Sequence, residues 1–275
     1  MPTPFRTTVY RYQYENLVLW LTVTLVMLVI AFTVTATVCI SGIFVLAMLV
    51  LSYSATRSQH EMLLRHATHV SEQTAPGLSD LIADSKKRLQ VEPVDIFIAS
   101  SRSLNAYTFG LATPKAIVLH DSLLKVMDRD ELQFILGHEM GHVVLGHTWL
   151  NSLIGGMAGI PAPYAASYML VLIFRWWNRS CEYSADRAGL LACNNPAKAV
   201  TALVKLVAGG SGLSPEAFER AFQRIQAEDD DPLSTLMELT ATHPMIVKRI
   251  EQIHKYASSS EYKQVQGLMN KNLQF

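Results

Sequence analysis

Apolar positions along this chain concentrate in two stretches that contain no charged side chain. The first covers residues 16–56, and a single helix of that length would be about 62 Å long, roughly twice the hydrocarbon thickness of a bilayer. Two shorter spans joined by a tight turn fit better, so we predict an N-terminal transmembrane helical hairpin in a membrane anchor at residues 1–56. The alternative is a secretory signal peptide, whose apolar core is much shorter.

The second uncharged stretch, residues 148–174, is interrupted by Pro161 and Pro163, so each half is shorter than a membrane span. It fits two short embedded helices, a re-entrant hairpin or a buried hairpin of a soluble domain. One arginine and two tryptophans follow it, a combination typical of a membrane interface. We therefore expect a hydrophobic hairpin at residues 148–177 that contacts the membrane.

The rest of the chain has the pattern of a globular domain, at residues 57–258. Alternating β-rich segments predict strands at 94–98, 105–110 and 116–119. Helical periodicity and helix-starting residues predict helices, at 58–89, 128–147, 181–192, 196–208, 215–227, 232–240 and 244–257. The predicted fold is mainly α with a small antiparallel β-sheet (α+β). We expect the C-terminal tail at 259–275 to be frayed.

The average composition conceals this division. The chain has 23 basic and 23 acidic residues, and this balance argues against nucleic-acid binding, which needs a basic face. Only Arg6, Arg11 and Glu15 carry charge before residue 57. Basic residues flank the first apolar stretch on both sides, so the positive-inside rule puts both of its ends in the cytoplasm. The expected location is the cell membrane, multi-pass, with the globular domain facing the cytoplasm.

Metal chemistry is indicated by the sequence HEMGH at 138–142, inside the predicted helix at 128–147. Residues four apart share a helix face, so His138 and His142 can bind one zinc ion through one ring nitrogen each. Glu139 lies at the edge of that face, where it can act as general acid and base on water that attacks a carbonyl. The alternative is two unrelated histidines that happen to be four residues apart.

A catalytic zinc ion needs a third protein ligand and an open fourth position. Glu182 is the best candidate, and Asp186 four residues later could accept the free N–H of a ligating histidine. The alternative is that both are surface carboxylates paired with neighbouring arginines. His147 lies about 180° around the predicted helix from His138, so we expect it not to bind the same ion.

These motifs resemble those of the M48 metallopeptidases, which are the HtpX-type and Ste24 CAAX-prenyl-protease proteins within the gluzincins. The resemblance covers roughly residues 94–253 and rests first on the HExxH motif and the segment 178–186. Further matching pieces are Asn105-Ala106, residues 132–147, Thr242-His243-Pro244 and Arg249-Ile250.

The resemblance implies a gluzincin-type metallopeptidase domain with one Zn²⁺ per chain. In that domain His138, His142 and Glu182 would be the metal ligands, and Glu139 the general acid and base. Asp186 would orient one of the ligand histidines.

The resemblance also implies roles outside the metal ligands. His243 would lie near the active-site cleft. Together with Arg249 it would stabilise the oxyanion that forms when water attacks the substrate carbonyl. Asn105, Ala106 and Tyr107 would bind the substrate backbone by β-strand addition. The simpler alternatives are a helix N-terminal residue for His243, a surface side chain for Arg249 and a turn residue for Asn105.

The chain departs from both M48 types in its apolar segments. HtpX-type proteins have two further spans between the HExxH helix and the glutamate ligand, whereas this chain has only the short, proline-broken stretch 148–174. Ste24-type enzymes enclose a large chamber with seven spans, which this chain cannot supply. The HtpX-like form therefore fits better, and prenyl-protein processing is not expected.

The sequence thus predicts a membrane-anchored zinc endopeptidase. Its expected partners are peptide and protein substrates, chiefly membrane or misfolded proteins in quality control, and the lipid bilayer, with no nucleic acid. The alternatives are a catalytically silent membrane scaffold or regulator with a structural zinc site, and a soluble secreted protease. The sequence indicates no particular oligomeric state.

Overall fold

The computed structural model describes residues 7–36, scattered positions from 43 to 66, and residues 67–91, 93–109, 115–148, 165–207 and 246–273. His243 and the predicted helices at 215–227 and 232–240 lie outside these residues.

The described elements confirm a mainly helical fold with a small sheet. A short 3-10 helix at Thr7–Tyr10 comes first. The other elements follow in chain order as α1 (Glu15–Ala36), β1 (Thr68–His69), α2 (Pro76–Leu89), β2 (Val94–Ala99), β3 (Ala106–Phe109), β4 (Lys115–His120), α3 (Asp121–Val126), α4 (Arg129–Val144), α5 (Ala165–Cys193), α6 (Pro196–Val207), α7 (Ile246–Ser258) and α8 (Ser260–Leu273).

The sheet is mixed, so the prediction of an antiparallel sheet is wrong. Its strand order is β1-β2-β4-β3, with β2 and β4 parallel and the two outer pairs antiparallel. The chain reverses direction twice between β2 and β4, so these two strands point the same way and pair in the centre. This leaves β3 on the outer edge of the sheet.

Helix α4, which carries the HExxH motif, begins with a capping box, which the spacing of Asp128 and Glu131 in the sequence predicts. The Asp128 side chain accepts a hydrogen bond from the Glu131 backbone N–H, at 3.1 Å, and the Glu131 carboxylate accepts one from the Asp128 backbone N–H, at 2.9 Å. Glu131 is buried and also pairs with Lys205 of α6 at 2.6 Å. Every residue from Gln133 to Val143 is buried, so the motif lies inside the protein.

Helices α4 and α5 pack at very short range through small residues. A Cβ added at Gly137 would lie 2.5 Å from the Ala192 Cβ. One added at Gly141 would lie 2.7 Å from the Ala188 Cβ and 3.2 Å from the Ala185 Cα. Glycine is therefore needed at both α4 positions for the backbones to approach this closely.

Helix α5 is longer than the predicted helix at 181–192, because it begins at Ala165 within the second uncharged stretch. The end of the apolar stretch and the proposed ligand Glu182 therefore belong to one continuous helix. Of the predicted hairpin at 148–177, residues 149–164 lie outside the described part.

Helix α1 packs against α5 through a small apolar cluster of Val18, Trp177 and Cys181. The side of α1 away from this cluster exposes large apolar side chains, among them Trp20 at 69% and Phe32 at 75% exposed. Within the described part of the chain, no helix combines the length and the apolar character needed to span a membrane. The transmembrane hairpin stays a prediction.

The C-terminal tail is helical, so the prediction that it is frayed is wrong. Tyr262, Val265 and Met269 recur at helical spacing and are buried, and α8 packs against α2 and the 3-10 helix. The Tyr262 hydroxyl also donates to the Asn194 side-chain oxygen at 2.9 Å. This apolar stripe gives the tail a face to bury.

We expect Gly141→Ala to lower the free energy of unfolding by about 1–3 kcal/mol, because the added methyl group overlaps α5. Gly267→Ala in α8 is the matched control, since an added Cβ there meets nothing within 4 Å. The control should leave stability unchanged or raise it by up to about 1 kcal/mol. Denaturant unfolding measures both variants, and wild-type stability of Gly141→Ala would contradict the close packing.

Candidate active site

Three side chains on α4 and α5 bring nitrogen and oxygen donors to one point. The Nε2 atoms of His138 and His142 are 3.2 Å apart, and each lies 3.5 Å from an oxygen of Glu182. Tetrahedral zinc with bonds of 2.0–2.1 Å places its ligand atoms about 3.3 Å apart. The spacing of the donors and their chemistry therefore fit a zinc ion with a fourth position left for another ligand.

A buried carboxylate and a buried arginine support this donor set. Asp186 Oδ1 lies 2.9 Å from His138 Nδ1, the arrangement required for the predicted orientation of a ligand histidine. Arg249 donates to both Asp186 oxygens, at 2.8 and 2.6 Å. Its Nη1 lies 3.1 Å from Glu182 Oε2. Arg249 thus connects the third proposed ligand to the carboxylate behind the first.

The charges of this cluster keep both acids ionised. Burial alone would raise the pKa of Glu182, but the Arg249 charge and the two histidines outweigh it and hold that pKa well below its usual value. The same arginine keeps the pKa of Asp186 below its usual value against the effect of burial. Glu139 adds a third acidic side chain beside this one buried arginine, so the chemistry of the site suits a divalent cation.

The predicted general base, Glu139, is held by a residue that the sequence analysis did not single out. The Thr108 hydroxyl on β3 donates to Glu139 Oε2 at 2.6 Å. Thr108 also lies within 3.2 Å of the Glu139 backbone oxygen. A single threonine in a strand belongs to no recognisable motif, so no sequence signal marks it.

The three predicted substrate-binding residues lie at β3, beside the HExxH helix. The His120 backbone N–H of β4 donates to the Asn105 oxygen at 3.0 Å. Backbone groups alternate in direction along an antiparallel strand, so those of Asn105 and Tyr107 face β4. Those of Ala106 and Thr108 point to the edge that pairs with no strand in the described part of the chain.

His147 is outside the donor set, as expected, but not for the expected reason. Helix α4 ends at Val144 and a turn follows at 145–146, in which Gly146 has a positive φ of 78°, so the angle expected for an unbroken helix does not apply to His147. His147 Nδ1 lies 3.0 Å from His142 Nδ1. Burial lowers the pKa of His147 to about 4, which leaves the ring neutral at pH 7.

The sequence profile of peptidase family M48 matches residues 69–257, which include the donor set, Glu139 and Asp186. The chain belongs to peptidase family M48. The family predicted from the motifs is thereby confirmed.

Two relatives and one solved structure illustrate the similarity. The chain is 31% identical over 209 residues to the plastoglobule-localized metallopeptidase 48, chloroplastic, of Arabidopsis thaliana, a match that covers 70% of this chain and 60% of that protein. It is 26% identical over 238 residues to a Protease HtpX homolog of Streptococcus thermophilus, covering 70% and 77%. The crystal structure of S. mikatae Ste24p is similar with a TM-score of 0.43 and 19% identity, covering 88% of this chain and 63% of that one.

We expect Thr108→Val to lower kcat about tenfold with little change in KM, because the general base loses a hydrogen bond to a charged group. Thr108→Ser keeps the hydroxyl and is the matched control, which should restore kcat. Steady-state kinetics on a peptide substrate measures both variants. An unchanged kcat in Thr108→Val would show that the bond has no role in positioning Glu139.

Proposed function

We propose that this M48 protein is a zinc-dependent endopeptidase that hydrolyses peptide bonds in protein substrates. One observation carries the proposal. The donor atoms of His138, His142 and Glu182 are separated by 3.2–3.5 Å, and Glu139 follows the first of them on the same helix. A structural zinc site would use all four positions of the ion for protein ligands, whereas only three donors meet here among the described residues.

Zinc bound by these residues would supply a Lewis acid that polarises a carbonyl and makes water more acidic. Asp186 keeps the hydrogen of His138 on Nδ1, so that Nε2 is free to bind the metal. The Thr108 hydroxyl donates a hydrogen bond to Glu139 Oε2. The other oxygen, Oε1, is then left to accept the proton of the attacking water. The same carboxyl group then gives the proton to the leaving amine nitrogen.

The substrate would lie in an extended form along the outer edge of β3. The backbone groups of Ala106 and Thr108 face this edge and can pair with a peptide strand, which reads peptide shape more than sequence. Thr108 also contacts Glu139, so a peptide on this edge would lie beside the general base. Asn105 and Tyr107 would support the strand through their pairing with β4.

Stabilisation of the oxyanion is assigned to His243, with Arg249 as the second candidate. Arg249 uses all three guanidinium nitrogens on Asp186 and Glu182. It would therefore have to leave one of these carboxylates in order to contact an oxyanion. This makes His243 the stronger candidate of the two.

We place the protein in the cell membrane, multi-pass, with residues 1–56 as the anchor and the catalytic domain in the cytoplasm. Support comes from the apolar surface exposed by α1 and by the described positions after it, since large apolar surfaces mark contact sites. Its exposed members include Trp20, Met27, Leu28, Phe32, Ile43, Leu46, Val50 and Leu51. Such a location suits the cleavage of membrane or misfolded proteins in quality control.

We expect Glu139→Gln to lower kcat by about 10²–10⁴-fold while zinc content stays near one ion per chain, because the residue transfers protons but does not bind the metal. The measurement is proteolysis of an unfolded membrane protein by the detergent-solubilised full chain. Cleavage by Glu139→Gln at the wild-type rate would contradict the proposed mechanism. A catalytically silent scaffold would show no cleavage even in the wild type.

We expect a chelator to remove both zinc and activity, and added zinc to restore them, because the donor set holds the ion that supplies the chemistry. Glu182→Gln should lower zinc content relative to the wild type after the same dialysis, measured by elemental analysis. Metal-free protein that still cleaves would contradict the proposed function.

A further inference from the structure

We propose that Glu15 and His147 form a positioning pair for the metal ligand His142, and that through this pair the N-terminal segment is part of the metal centre. The inference rests on the proposed zinc site. It assigns a role to two buried residues that lie outside the donor set and outside the mechanism described above.

The pair forms a continuous line of hydrogen bonds behind His142. His142 Nδ1 and His147 Nδ1 are 3.0 Å apart, and His147 Nε2 lies 3.1 Å from Glu15 Oε1. The side chains of His147 and Glu15 are 2% and 1% exposed. The side chains of His142, His147 and Glu15 are therefore shielded from solvent, and their hydrogen-bonding atoms pair with one another.

Metal binding allows only one arrangement of hydrogens along this line. When His142 presents Nε2 to the metal, its hydrogen is on Nδ1, and that N–H must donate to His147 Nδ1. His147 then carries its own hydrogen on Nε2 and donates it to Glu15. The carboxylate of Glu15 thus selects the tautomer of His147, which in turn selects the tautomer of His142 that can bind the metal.

Glu15 is itself fixed from two sides. Arg11 Nη1 lies 2.9 Å from Glu15 Oε1, and the Ser184 hydroxyl of α5 donates to Glu15 Oε2. Ser184 Oγ also accepts a hydrogen bond from the Tyr12 backbone N–H at 2.7 Å. The start of α1 is thereby attached to the helix that carries Glu182, two residues from that proposed ligand.

A second metal site is the competing interpretation, since Glu15, His147 and Cys181 also bring donor atoms together. The guanidinium of Arg11 contacts the same Glu15 oxygen that faces His147. A cation placed between Glu15 and His147 would lie beside this positive charge and would break the hydrogen bond between them. The arrangement therefore favours a positioning pair over a bound metal.

The two ligand histidines are then supported in parallel ways. His138 has the carboxylate of Asp186 directly behind it, and His142 has the carboxylate of Glu15 behind it through His147. Hydrogen-bond partners of this kind typically contribute 10–100-fold to metal affinity. Displacement of the N-terminal segment would therefore weaken metal binding without touching a ligand.

The test compares His147→Gln with His147→Asn in the full-length protein in detergent. Asparagine can place an acceptor near the position of Nδ1 and keep the bond from His142, whereas glutamine reaches toward Glu15 and loses that bond. We expect His147→Gln to bind zinc about 10–100-fold more weakly and His147→Asn to stay within about threefold of the wild type. Chelator competition measures the affinity, and the visible spectrum of the cobalt(II)-substituted protein reports the geometry at the metal.

Glu15→Gln is the second variant, because it keeps the size of the side chain while weakening the acceptor. It should lower zinc affinity about tenfold and shift the cobalt bands in the same direction as His147→Gln. His120→Gln is the control, since that ring lies at the end of β4 and bonds to the Ser103 backbone oxygen at 2.9 Å. It should leave both measurements unchanged.

Wild-type affinity and spectra in both His147→Gln and Glu15→Gln would overturn the inference. Equal losses in His147→Gln and His147→Asn would also overturn it, because they would reflect packing and not the acceptor. If the wild type itself bound no zinc, the proposed function would fail instead, so the two failures are distinguishable.

Discussion

The short distance between helices α4 and α5 is the constraint on which the fold and the proposed site depend. Gly137, Gly141 and Gly189 lie in this contact, and a Cβ at any of them would fall less than 3.0 Å from an atom of the opposite helix. A glutamate on α5 can complete a donor set begun by two histidines on α4 only when the backbones lie this close. The geometry of the proposed site and the packing of the core thus depend on the same glycines.

Around this contact, the protein buries several charges and pairs each of them. Arg249 from α7 pairs with Asp186 and Glu182, while Arg11 from the N-terminal segment pairs with Glu15. Burying such groups costs free energy unless they are paired and hydrogen-bonded. The two arginines come from opposite ends of the chain, so both ends contribute ion pairs to the region around the proposed site.

The sequence predicted features that depend on neighbouring residues. It missed contacts and strand pairings between residues far apart in the chain. The capping box and the HExxH helix each follow from spacing within one segment, and the profile match confirms the family. Glu182 lies on another helix, and its selection as a candidate ligand rests on the segment 178–186 and on the resemblance to M48 proteins. The parallel pairing of β2 and β4 depends on how the chain returns to the sheet, which periodicity does not encode. Thr108 and Glu15 contact residues far away in the chain, Glu139 and His147, and no local pattern predicts these contacts. His147 was judged as if its helix continued past Val144.

Helix α5 also fixes the distance between the second uncharged stretch and the proposed metal ligand Glu182. It runs without a break from the second uncharged stretch to Cys193, so the end of that stretch and Glu182 are held at a fixed separation. The eight residues from 174 to 182 correspond to about 12 Å along the helix axis. With the apolar stretch against a bilayer, as proposed, this spacing would be the greatest distance from the end of that stretch at which the backbone of Glu182 can lie. A peptide bond cleaved at the proposed site would then have to approach the membrane to within a similar distance.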